Sequence, residues 1–159
     1  MVGREISDIW NWRPRILGET WLAVAGLTGE HLGSPANFIA RRGEILGFYG
    51  LVGAGRSEFM QSLFGITKPS KGVTKIDGQI AVIRSPAAAV DAGIVYVPED
   101  RGLQGAIRPM PIFQNVTLSS LGRTSRNGFL RLAEEFKLAR EYTERLDLRA
   151  ASLDTDVGN

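Results

Sequence analysis

Gly50-Leu51-Val52-Gly53-Ala54-Gly55-Arg56-Ser57 decides how this chain is read. Its spacing is that of a phosphate-binding glycine loop, with arginine where lysine is usual. Glycine reaches backbone conformations closed to other residues, so successive N–H groups can converge on an anion. The N-terminus of a following helix adds further donors. Directly upstream, Ile45-Leu46-Gly47-Phe48-Tyr49 is apolar on both faces and predicts a buried parallel strand. Directly downstream, Ser57 to Phe64 predicts a helix that stops near Gly65. A dinucleotide fingerprint would need a third glycine at position 58, where Glu58 stands. The competing reading of the loop is a purely structural glycine turn.

Outward from the loop, Trp21–Ala25, Ala36–Ala40 and Ile94–Val97 read as strands, the last halted by Pro98. Val73–Ile76 and Ile80–Ile83 form a hairpin about Asp77-Gly78. Ser85-Pro86 is an N-cap followed by proline at the first helical position, and Gly93 ends that helix. A loop through Gly105 leads to a short helix near Ile112 to Leu118, and Asn127-Gly128 marks another turn. Leu132, Phe136, Ala139, Thr143 and Leu146 fall on one stripe of a long amphipathic helix. Residues 150–159 are polar and loop-like. The order of strand, glycine loop, helix, hairpin, helix and strand predicts an α/β fold.

Composition narrows the classes. The 159 residues, 43% hydrophobic and 23% charged, suit one globular domain. No apolar run approaches the ~20 residues that cross a bilayer, and the first residues carry no signal core. Without cysteine there are no disulfides or thiolate metal sites, and His31 alone cannot build a histidine metal site. The formal charge of +2 comes from well-mixed acids and bases, and no zinc-finger or RNA-binding signature accompanies it, so no nucleic-acid partner is expected.

Gly43–Gly47, Gly50–Glu58 and the run Gly93-Ile94-Val95-Tyr96-Val97-Pro98-Glu99-Asp100-Arg101 together resemble the second nucleotide-binding domain of bacterial sugar-type ABC importers. These are the ribose, xylose, galactose and autoinducer-2 ATPases. The resemblance covers nearly the whole chain. It implies an ABC cassette of P-loop NTPase type: β-subdomain, Walker A core and the start of a helical subdomain. Residues 1–18 would be a linker from a preceding cassette, with Trp10 and Trp12 packed peripherally, and 19–159 the N-terminal part of the nucleotide-binding domain.

The resemblance assigns nucleotide contacts to Gly50, Leu51, Val52, Gly53, Ala54, Gly55, Arg56, Ser57 and Glu58. ATP and Mg2+ are the implied cofactors, Ser57 contributing the hydroxyl to Mg2+. Glu99 stands where most ABC proteins place the Q-loop glutamine that couples nucleotide to the membrane subunit; its alternative is an exposed salt bridge with Arg101. Ile112–Leu148 would begin the helical subdomain. The upstream aromatic that usually stacks adenine is missing between Leu27 and Leu32, where His31 is the sole flat side chain. The implied partners are a transmembrane permease subunit, a second cassette and, indirectly, a periplasmic sugar-binding protein. The implied location is cytoplasmic, on the inner face of the plasma membrane. In such families Val157-Gly158-Asn159 would be followed by the signature motif, Walker B and a switch histidine. These 159 residues hold none of them, so the expectation is no steady-state ATP turnover by the chain itself. The alternative function is a non-catalytic regulatory or interaction module with a degenerate loop, favoured by Arg56, where a forked guanidinium replaces a compact ammonium, by Glu99 and by the missing downstream motifs.

Overall fold

The computed structural model describes residues 15–29, 32 and 34–158; Trp10, Trp12 and His31 lie outside them. Two compact units follow one another along the chain, dividing after Tyr96.

The first unit is built on four antiparallel strands in the order β2-β1-β3-β4: β1 Thr20–Thr28, β2 Ala36–Arg41, β3 Lys71–Ile76 and β4 Gln79–Ile80. Alternation places Leu22 and Val24 on the core face of β1. Strict alternation would then turn Leu27 outward. Gly26, at φ 62°, instead breaks the register with both neighbours, and Leu27 joins the same buried face. The Gly26 amide is taken up by the Asn37 side-chain oxygen at 2.7 Å. Helix α1, Arg56–Leu63, lays Phe59 and Leu63 on this face, closing a core of Leu22, Val24, Leu27, Phe59 and Leu63.

Local turn chemistry organises the rest of this unit. Asp77 and Gly78 both take positive φ, 48° and 77°, the geometry of a tight hairpin turn. Ser85 caps α2, Pro86–Asp91, by accepting from the Ala88 amide at 3.2 Å, and Gly93 follows at φ 87°. Ser85→Ala should therefore cost about 1 kcal/mol, read as an earlier thermal midpoint of this unit, with Ser85→Asn close to the parent.

Two expectations are corrected. Ile45–Tyr49 and Ile94–Val97 are not strands: neither pairs with another segment among the described residues, Tyr49 is 98% exposed and Val97 81% exposed. A parallel strand buried on both faces needs ladder partners at its edges, and the strands of this unit satisfy one another in antiparallel pairs. The hairpin's second strand also stops at Ile80 rather than reaching Ile83, leaving Val82 exposed.

In the second unit α3 is a helical turn, Arg101–Gln104, where the sequence predicts a loop; Asp100 caps it by accepting from the Gly102 and Leu103 amides at 3.0 Å. Helix α4, Ile112–Thr117, packs on α6, Leu132–Arg145, with α5, Leu121–Thr124, between them in sequence. Strands β5, Ser125–Arg126, and β6, Phe129–Leu130, turn about Asn127-Gly128. On α6 the predicted stripe holds only in its middle: Ala139 and Thr143 are buried, whereas Leu132 and Leu146 are exposed. The six residues of α4 cover only part of a helix of fourteen. The side chain buried beside them is Glu135, which the apolar pattern passes over.

Candidate functional site: the glycine loop and its recess

In the first unit the loop runs from Gly50 into α1. A turn closes it where the Ala54 amide donates to the Leu51 carbonyl at 3.1 Å. Gly53 and Gly55 both adopt the left-handed conformation, at φ 82° and 80°, which glycine enters without penalty. Gly55 is the N-cap of α1, and its carbonyl accepts the first helical bond, from Phe59, at 2.9 Å. Because Gly55 has no side chain, no side-chain oxygen competes for the first-turn amides of Arg56, Ser57 and Glu58. Those three amides have no acceptor among the described residues. Anion binding is what such an end offers.

The side chains follow from this backbone. Arg56 and Ser57 are exposed at the first turn, Glu58 is half-buried, and Leu51 and Val52 are largely in solvent. Arg56 makes no ion pair with any described residue. Among the described residues no cluster of three His, Cys, Asp or Glu side chains could hold a metal ion by itself. The Ser57 hydroxyl fits a hard cation only as one oxygen among several, so Mg2+ would arrive with phosphate oxygens. Glu99 belongs to the second unit, where it is exposed at the bend before Asp100 and forms no salt bridge with Arg101.

The structure adds residues that the sequence reading missed. A recess of about 250 Å3 opens beside Ala54, Gly55 and Arg56, walled by Phe38, Phe48 and Met60. Phe38 stands edge-on to Phe48 at 5.2 Å and to Phe59 at 5.5 Å. Strand alternation in β2 carried a signal for Phe38, since it shares a face with Ala36 and Ala40. Phe48 carried none, because its place depends on packing against α1.

With this geometry in hand, comparison with known proteins is direct. The family model for ABC transporters matches residues 34–155. The chain belongs to the ABC transporter family. It is 68% identical, over its whole length, to the ribose import ATP-binding protein RbsA of Roseobacter denitrificans, and 66% identical over 99% of its length to an RbsA of Rhizobium meliloti. The arabinose import ATP-binding protein AraG of Rhizobium etli is 42% identical over the full chain. The chain spans 31% of the length of both RbsA relatives and 32% of AraG. Among solved structures, CbiO1 of Clostridium perfringens, part of the ABC transporter complex CbiONQ, superposes with a TM-score of 0.59 at 24% identity, covering 82% of this chain and 52% of that one. That likeness supports the mixed α/β ABC ATPase fold. No helix among the described residues is long and apolar enough to cross a membrane.

Proposed function

We propose that this chain is a nucleotide-binding part of the ATPase subunit of a bacterial sugar importer, receiving the phosphates of ATP on Gly50–Ser57. One observation carries the reading: two left-handed glycines deliver the chain into α1, whose first-turn amides and Arg56 have no partner among the described residues. Those amides and the guanidinium are matched to a polyanion. Mg2+ would come bound to the phosphates, with Ser57 as its protein oxygen and Glu99 as the candidate coupling residue. The recess of Phe38, Phe48 and Met60 is the place for the base. Of its polar lining beyond Arg56, Asn37 already accepts from the Gly26 amide and donates to the Pro35 carbonyl. Among the described residues that leaves Ser34 as the free side chain to tell one base from another, so ATP and GTP should bind alike. The names of the relatives point to ribose or a similar pentose as cargo. The partners would then be a transmembrane permease and a second cassette, at the inner face of the plasma membrane.

Calorimetric titration with pyrophosphate, ADP and ATP tests this. Arg56→Ala should weaken all three roughly tenfold, the scale of one exposed charge-assisted contact, and Arg56→Lys should largely restore binding. Binding by Arg56→Ala equal to the parent would make the loop structural. It would leave the second reading, an interaction module with a degenerate loop, which the arginine at position 56 favours.

A further inference from the structure

The tip of the hairpin in the second unit exposes two adjacent apolar side chains, Phe129 and Leu130. Asn127 and Gly128 both take positive φ, 52° and 83°, so two residues turn β5 into β6. The ribbon is held firmly at its base. The Arg131 amide donates to the Thr124 carbonyl at 2.9 Å, the Ser125 hydroxyl donates to the Leu121 carbonyl at 2.6 Å, and Thr124 is buried. On this fixed base Phe129 is 78% exposed and Leu130 47% exposed, with Leu132 exposed just beyond.

Pairing sets which side chains share a face. Arg126 stands opposite Phe129, and Ser125 opposite Leu130. β6 ends at Leu130, and Arg131 follows as the N-cap of α6. Phe129 and Leu130, adjacent in β6, therefore put apolar surface on opposite faces of the ribbon, Leu130 being about half covered. A one-sided protein groove would cover one face and strand the other, whereas an interfacial lipid layer surrounds an inserted tip.

Charge agrees. Between Leu121 and Ala133 the charged residues are Arg123, Arg126 and Arg131, with no acid among them. Arg131 pairs with Glu134 and Arg123 donates to the Tyr142 hydroxyl at 3.2 Å, while Arg126 has no partner among the described residues. Glu141 lines the hollow beside Arg123, and Glu135 is buried. An exposed apolar tip rimmed by guanidinium groups is the composition of an anionic-membrane contact. From this juxtaposition we propose that the Arg126–Arg131 hairpin rests on the anionic headgroup layer, with Phe129 and Leu130 in the acyl boundary. The proposal is independent of the nucleotide loop.

The test is co-sedimentation of the full chain with vesicles of phosphatidylcholine alone and of equal parts phosphatidylcholine and phosphatidylglycerol. Binding is expected only to the mixed vesicles, and added salt should release it. Arg126→Ser should weaken it about fivefold and Phe129→Ser about tenfold, while Arg126→Lys should retain it. Lys75→Ser, on exposed β3, should change nothing. The chain has no cysteine, so Phe129→Cys accepts a single environment-sensitive dye, whose emission should rise with the mixed vesicles. A dye on Thr67→Cys should stay silent. Equal binding to phosphatidylcholine, full binding by Phe129→Ser, or equal loss with Lys75→Ser would overturn the proposal. So would a dye at position 129 that responds to a purified permease and not to vesicles, which would assign the hairpin to a protein partner.

Discussion

Gly72→Ala should cost the first unit about 3 kcal/mol or more, a large share of the stability of a small domain. Gly72 sits in β3 at φ 113°, opposite the bulge that Gly26 makes in β1. A Cβ there would lie 2.5 Å from the Leu27 Cα and 2.7 Å from its amide nitrogen. Those are backbone atoms of the central strand, so relief means displacing the ladder that places Leu22, Val24 and Leu27 under α1. Two penalties add, a conformation hostile to L-residues and a clash with no flexible side chain to yield. Gly78 is the matched control. It also has positive φ, 77°, but nothing stands within 4 Å, so Gly78→Asn should cost under about 1 kcal/mol. Urea midpoints followed by hydrogen exchange of the β1 and β3 amides separate the two. Equal midpoints would show that the bulge is soft and the close approach unimportant. Because α1 carries the glycine loop on this sheet, Gly72→Ala should also weaken pyrophosphate binding, whereas Gly78→Asn should leave it intact.

Such a contact shows where the sequence was legible and where it was not. The turns at Asp77-Gly78 and Asn127-Gly128, the cap at Ser85-Pro86 and the limits of α1 are decided within a few residues, and each was readable from them. The left-handed glycines of the loop are likewise local. Apolarity is different. It says that Ile45–Tyr49 and Ile94–Val97 would gain from burial, but a strand exists only when another strand completes its ladder. In this structure neither run joins a sheet: residues 45–49 are exposed, and in 94–97 Val95 and Val97 are exposed while Ile94 and Tyr96 are half-buried. The recess beside the loop was hidden for the same reason: Phe38, Phe48 and Phe59 meet from three separate segments. On α6 the apolar stripe pointed to Leu132 and Leu146 and missed Glu135, since a carboxylate gives no hydrophobic signal even when it is the largest fully buried side chain on the helix.

Glu135 also underlies the second large effect. It is 2% exposed, and Thr117, wholly buried at the end of α4, donates to its Oε1 at 2.7 Å. The other oxygen, Oε2, has no partner among the described residues. A buried carboxylate held by a single donor is poorly compensated, so removing that donor should be costly. Thr117→Val keeps the shape and deletes the bond, and should destabilise the α4–α6 pair by about 2 kcal/mol. Amide exchange along α6 should then quicken about thirtyfold. Glu135→Met should behave oppositely. It removes the uncompensated carboxylate, fills similar volume, and leaves the Thr117 hydroxyl the Phe113 carbonyl, which already lies 3.0 Å away. Stability should stay level or rise. The double variant is decisive: with no carboxylate left to strand, Thr117→Val should cost little on the Glu135→Met background. If Thr117→Val is equally harmful on both backgrounds, the threonine acts through α4 alone and the buried acid is not the group it serves.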